Sequence, residues 1–203
     1  MLRIKSIALF TVLVLMVPVA VMAEGFSDLY IGFAQSQEQD LMVTSGATTS
    51  DEKAEFEGGI SAGYRIGYWF EAMPYVGLAI EISYFEQDIE DVADFKVIPI
   101  SPLLMLRIPL LESAEYPGGE WQPYLGVGPG FFMSELKPKA DGSKYDETDI
   151  GLDARCGLKK YLVPDFGLFL EYRYTYFSPE FEPAVKEFDM QTHHALFGIT
   201  VNF

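Results

Sequence analysis

IGLDARCGLKKYLVPDFGLFLEYRYTYF, residues 150–177, alternates in polarity from end to end. Ile150, Leu152, Ala154, Cys156 and Leu158 fall on one face, and Gly151, Asp153, Arg155, Gly157 and Lys159 on the other. After Leu162-Val163-Pro164-Asp165 the period resumes. Phe166, Leu168, Leu170, Tyr172, Tyr174 and Tyr176 share one face; Gly167, Phe169, Glu171, Arg173 and Thr175 share the other. A period of two with a break at Pro-Asp reads as two strands joined by a tight turn. A turn centred on Val163 sets Asp153 opposite Arg173 and Arg155 opposite Glu171, two stacked pairs of opposite charge. An apolar, aromatic face backed by glycine and paired charge is inverted for a soluble sheet. It suits a sheet with lipid outside and polar side chains inside.

The same partition recurs in the rest of the chain. Segment 57–70 places Ile60, Ala62, Tyr64, Ile66, Tyr68 and Phe70 outward and Gly59, Ser61, Gly63, Arg65 and Gly67 inward. Segment 75–86 places Val76, Leu78, Ile80, Ile82 and Tyr84 outward and Glu81 inward. A turn at Glu71-Ala72-Met73-Pro74 then opposes Arg65 to Glu81. Segment 26–37 has Leu29, Ile31 and Phe33 on one face and Tyr30, Gly32 and Ala34 on the other. Segment 95–108 carries Arg107 inward near the turn end, and Pro99 and Pro102 suggest a bulge or bent start. Segment 121–134 points Gly126, Gly128 and Gly130 inward, and 191–203 points Ala195, Phe197, Ile199, Val201 and Phe203 outward. With the opening hairpin these make eight strands.

Residues 1–23 read as a secretory signal peptide. Arg3 and Lys5 form the charged head, Ile7–Val17 the apolar stretch, and Val21-Met22-Ala23 the cleavage site, so the mature chain is expected to be 24–203. No later apolar run is long enough for a membrane helix, so a membrane reading rests on strands. The formal charge of −16 argues against nucleic acid as a partner, and a single cysteine rules out an intramolecular disulfide framework or a cysteine-based zinc cluster.

The connections alternate in length. Those at 71–74, 109–120 and 162–165 are tight or moderate; those near 38–56, 87–94, 135–148 and 178–190 are longer and acidic. Short turns on one side and long loops on the other are the pattern of an outer-membrane barrel, which must close because open sheet edges cannot be satisfied in hydrocarbon. The expected fold is all-β: an eight-stranded antiparallel up-and-down transmembrane barrel with short periplasmic turns and acidic extracellular loops. Aromatics near strand ends, among them Tyr68, Phe70, Tyr75, Tyr124, Tyr161, Phe166, Tyr174, Tyr176 and Phe203, suggest interfacial girdles.

On the PYLGVGPGFF segment at 123–132, the GLDARCGLKKYLVPDFGLFLEYRYTYFSP run at 151–179 and the C-terminal alternation, the chain resembles the small eight-stranded outer-membrane β-barrel superfamily, which includes the OmpA-type transmembrane domain, opacity-type proteins and OmpW. The resemblance implies residence in the Gram-negative outer membrane, outer-membrane lipid and lipopolysaccharide as surroundings, and recognition by the barrel-assembly machinery through Phe197, Ile199, Val201 and the terminal Phe203. It does not choose an activity, because members include anchors, adhesins and narrow channels. A soluble lipocalin-type barrel is the rival fold. It would bury apolar residues, whereas the inward set here carries Arg65, Glu81, Arg107, Asp153, Arg155, Glu171 and Arg173.

These seven charges are the candidate site, as a structural plug or as a gate. An eight-stranded lumen is just wide enough for side chains to fill, which favours the plug. His193 and His194 are adjacent in one strand, point to opposite faces and cannot share a metal. Cys156 points outward as a small hydrophobe. No catalytic residue, cofactor or fixed metal site is expected. Neither His193 nor His194 is followed by the serine that a His-x-Ser-Asn lipid A deacylase pattern needs, and no histidine precedes 193 to serve palmitoyl transfer. Omptin-type proteolysis needs ten strands. The acidic loops, marked by Glu86, Asp88, Glu90, Asp91, Asp94, Asp141, Asp146, Glu147, Asp149, Glu180, Glu182, Glu187 and Asp189, are candidates for divalent cations bridging to lipopolysaccharide. Two function classes follow: a structural or surface-interaction barrel with a plugged lumen, and a narrow channel for small or apolar solutes. The inward glycines and Leu103, Met105, Phe132 and Leu196 speak for the channel. A lipid-modifying enzyme stands third.

Overall fold

A computed structural model describes residues 23–37, 39–45, 48–54, 56–89, 93–139, 143–179 and 188–203. Residues 1–22 of the expected signal peptide and the loop acids Glu90, Asp91, Asp141, Glu180, Glu182 and Glu187 lie outside these residues. Eight strands close into an antiparallel barrel: β1 (Ala23–Ser36), β4 (Gly59–Phe70), β5 (Met73–Ile89), β6 (Ala93–Arg107), β7 (Trp121–Pro138), β8 (Tyr145–Val163), β9 (Phe166–Phe177) and β10 (Met190–Asn202). Each pairs with its neighbour in sequence along the wall, and β1 with β10 closes the ring. Between β1 and β4, β2 (Gln39–Ser45) and β3 (Thr48–Ala54) form a separate two-stranded sheet, so the first loop carries a hairpin that alternation did not reveal.

The partition of faces holds. Leu29, Ile31, Ile60, Ile82, Leu125, Leu170 and Phe197 are exposed on the outside, while Asp28, Arg65, Glu81, Asp153 and Arg173 are buried within. Phe197, Ile199, Val201 and Phe203 all lie exposed on the outer wall. The walls are longer than the apolar stretches alone suggest. β5 and β7 run on through Glu86-Gln87-Asp88 and Glu135-Leu136-Lys137, shortening the second and third loops. Alternation persists there, with Phe85, Gln87, Ile89 and Leu136 still pointing in, so a strand that has left hydrocarbon still has a face to bury.

The β8–β9 register departs from expectation. Asp153 stands opposite Thr175 and Arg155 opposite Arg173, two positions along β9 from where a turn centred on Val163 puts them. The turn is Pro164-Asp165, and an irregularity between Tyr161 and Val163 inserts one extra residue before it. This combination of a two-residue turn and a bulge resets every pair downstream. The β4–β5 register is as expected, with Arg65 opposite Glu81. Pro99 and Pro102 do not create a bulge: pairing lapses beside them but resumes in the same register, Ile100 to Phe131 and Leu104 to Val127.

The interior is layered rather than uniformly polar. An apolar cluster including Phe85, Phe95, Phe132, Phe177 and Met190 fills the loop end. A second, including Phe26, Tyr30, Trp69, Met105, Tyr124 and Phe169, lies toward the turns. The charged layer sits among these aromatic side chains.

Candidate functional site: the lumenal ion network

Every wall strand contributes to one buried network. Arg65 on β4 stands at its centre. Its Nε donates to Asp28 Oδ2 of β1 at 2.8 Å and its Nη1 to Glu171 Oε2 of β9 at 2.7 Å, and Nη1 lies 3.5 Å from Glu81 Oε2 of β5. Tyr124 of β7 donates its hydroxyl to Glu171 Oε2 at 2.6 Å. Arg155 grips Glu81 through Nη1 and, at 3.0 Å, through Nη2; it also donates to Asp153 at 2.7 Å and reaches Glu171 at 3.3 Å. Arg173 forks onto Asp153 Oδ2 through Nε at 3.1 Å and Nη2 at 2.7 Å, and its Nη1 donates to Ser83 at 2.8 Å. Ser101 of β6 donates to the same Asp153 oxygen at 2.8 Å.

The like-charge opposition of Arg155 and Arg173 is offset because two carboxylates stand between both guanidinium groups. Both side chains share the same two carboxylates, Asp153 of β8 and Glu81 of β5. The Asp153–Arg173 and Arg155–Glu171 pairs therefore exist as diagonals rather than as direct opposites.

Two members fell on the inward face of the sequence pattern without being singled out. Asp28 shares its face with Tyr30, and Lys159 its face with Arg155. Lys159 Nζ donates to Asp28 Oδ1 at 2.7 Å and to Thr200 of β10 at 3.0 Å. Alternation alone could have placed both; their meeting depends on closure, which brings β1 and β8 face to face across the lumen. Arg107 stands apart, at the turn end. It grips Glu24 at 2.6 and 3.0 Å, donates to the Pro74 carbonyl at 2.8 Å and stacks over Trp69 at 4.5 Å.

Among the described residues, the lumen pairs five cations (Arg65, Arg107, Arg155, Lys159, Arg173) with five carboxylates (Glu24, Asp28, Glu81, Asp153, Glu171). The sum is zero, so the chain's formal charge of −16 lies wholly outside this network. The space that the wall glycines leave is occupied. A Cβ on Gly126 would come within 2.7 Å of Met105 Sδ and 2.8 Å of Arg155 Cγ, and one on Gly157 within 2.5 Å of the Tyr124 ring. Leu103, Met105, Phe132 and Leu196 are buried in the two apolar layers.

The histidines separate as expected. His194 is buried, with Nε2 3.3 Å from the Thr175 hydroxyl and its ring edge-on to Phe85. His193 is outside, between Gln37 and Tyr172. Cys156 is exposed on the outer wall. Asp189, at the loop end, accepts hydrogen bonds from Ser178 and Tyr176 at 2.8 Å each, which hold its carboxyl below the usual range.

Over residues 9–203 the chain matches the family model described as the outer membrane protein beta-barrel domain. The chain belongs to that family. This outer-membrane β-barrel shares its fold with the outer membrane protein OprG from Pseudomonas aeruginosa, at a TM-score of 0.63 and 16% identity over 90% of this chain and 97% of that one. It is similar also to Neisserial surface protein A, at a TM-score of 0.62 and 18% identity over 88% and 97%. The outer membrane protein AlkL in lipid bilayers aligns at a TM-score of 0.52 and 14% identity over 90% of each chain. No curated protein sequence matches the barrel.

Proposed function

We propose that this β-barrel is an integral protein of the outer membrane with a closed lumen, whose role is structural or one of surface interaction. The observation that carries the reading is the electroneutral network, in which the Arg65, Glu81, Asp153, Arg155, Glu171 and Arg173 side chains are all completely buried. A water path would hydrate these groups; here each is held instead by protein partners on other strands. Of the glycines that favoured a channel, Gly126 faces Met105 and Arg155, Gly128 the Pro102 backbone and Gly130 the Phe132 ring, each too close to leave room for another group. With the interior neutral, the excess negative charge belongs to the loops and rims, where partners would meet it.

On this reading residues 1–23 are a signal peptide removed after Ala23. The Glu24 carboxylate of the mature chain then anchors Arg107 at the periplasmic mouth. Phe197, Ile199, Val201 and Phe203 serve as the outward assembly signal. The role proposed is not catalytic.

Solute flux into liposomes tests the reading. Vesicles carrying the folded barrel should admit small sugars and amino acids no faster than empty ones. Size-dependent uptake by the wild type would overturn the closed lumen and favour the channel.

A further inference from the structure

On the outer wall the changeover from apolar to polar side chains falls on one hydrogen-bonded row across three adjacent strands. Phe33 of β1, Ala195 of β10 and Tyr172 of β9 are aligned, and one step toward the loops stand Gln35, His193 and Tyr174. Below the changeover, β10 reads Ala195, Phe197, Ile199 and Val201; above it, His193 and Gln191, with Asp189 just before the strand. Two features meet at this boundary.

The first is a groove of about 610 Å³ in the wall, lined by Ile31, Cys156, Leu158, Leu170, Ala195 and Phe197, with Tyr172 also on its edge. It arises because small side chains at Ala195 and Cys156 flank Tyr172 in one row, while Ile31, Phe197, Leu170 and Leu158 stand tall in the next. The second is a polar platform directly on the loop side. Tyr172 Oη lies 2.5 Å from His193 Nδ1, and His193 Nε2 lies 3.0 Å from Gln37 Nε2. Tyr174 donates to Gln191 at 3.1 Å, and the Tyr174 and His193 rings lie 5.3 Å apart. Tyr172 belongs to both features.

We infer that groove and platform together form a binding site for one glycolipid of the outer leaflet, with an acyl chain in the groove and a sugar of the headgroup on the Tyr172–His193–Tyr174 platform. The inference rests on the outer-membrane reading, which puts lipid against this wall. Hydrocarbon is no more attracted to the groove than to other lipid, so the groove selects by shape and the headgroup supplies the preference. Among the described residues no lysine or arginine belongs to the platform, and Gln37, Gln191 and the two tyrosines carry no positive charge. They offer amide and hydroxyl hydrogen bonds beside flat ring faces, which suits sugar hydroxyls and C–H faces better than a bare phosphate.

Native mass spectrometry of the full barrel folded in detergent tests this, with lipid A, dephosphorylated lipid A and phosphatidylethanolamine as probes. Both forms of lipid A should add once and saturate at one per barrel. Ala195→Phe, which fills the groove from the lipid side, should weaken both at least tenfold. Tyr172→Phe with Gln37→Ala should weaken them several-fold, and Val127→Phe elsewhere on the wall should change nothing. Equal, unsaturating binding of phosphatidylethanolamine means unselective boundary lipid and overturns the site. Binding of the phosphorylated form alone overturns the sugar assignment, and a dimer abolished by Ala195→Phe makes the occupant a second copy. Circular dichroism and heat-shifted gel migration keep the tests separate: a wild type that does not fold in detergent sinks the membrane reading itself.

Discussion

Arg65 shows what the interior requires of a single side chain. It bonds carboxylates from β1 and β9 and approaches a third on β5, with no solvent to compensate if it is lost. Removing one partner of a buried ion pair typically costs about 3–5 kcal/mol. Arg65→Ala should therefore unfold at a clearly lower temperature in detergent, by more than a truncation on the outer wall such as Leu125→Ala; equal shifts would show that the network does not hold the barrel. Gly126→Val should have a related effect for a steric reason, since its side chain would displace Arg155. Because both changes disturb one network, Gly126→Val and Arg155→Ala should be less than additive in a double-mutant cycle of unfolding free energies. At this scale the sequence was largely legible: alternation placed Arg65, Glu81, Asp153, Arg155, Glu171 and Arg173 inside. It did not reveal that Asp28 and Lys159 complete the set, because their contact joins strands distant in the chain and exists only once the barrel closes.

At the scale of elements, local chemistry decides what pairs with what. Pro164-Asp165 and the extra residue before it shift β9 by two positions against β8, yet the side chains still find opposite charges along the diagonals. The face of a strand follows from parity and is robust. Register follows from the conformation of a few turn residues, which a period-two pattern does not specify. The β9–β10 connection offers a pH test. Hydrogen bonds from Ser178 and then Tyr176 lower the Asp189 pKa. A lowered carboxylate contributes its stability above the unfolded-state value and loses it as pH falls through the folded-state value. The tether should thus persist at mildly acidic pH and release only below the usual carboxylate range. An NMR titration of Asp189 should show this depressed midpoint, moving up in Ser178→Ala/Tyr176→Phe; an unchanged midpoint in the double variant would exclude these hydrogen bonds as the cause.

In the whole molecule the lumen is neutral and filled, and the formal charge of −16 resides outside its network. The neutral lumen follows from one physical arrangement. Lipid forces the apolar side chains outward, and the charges that remain on the inner face must pair with one another. The central claim is that the lumen is shut, and single-channel recording in planar bilayers addresses it most directly, with wild type beside Arg155→Ala/Arg173→Ala. The wild type should show no openings. The double variant leaves Glu81 and Asp153 short of their guanidinium partners and should admit water and cations, giving small cation-selective openings. Discrete openings of the wild type would mean an open lumen and make the same residues a gate.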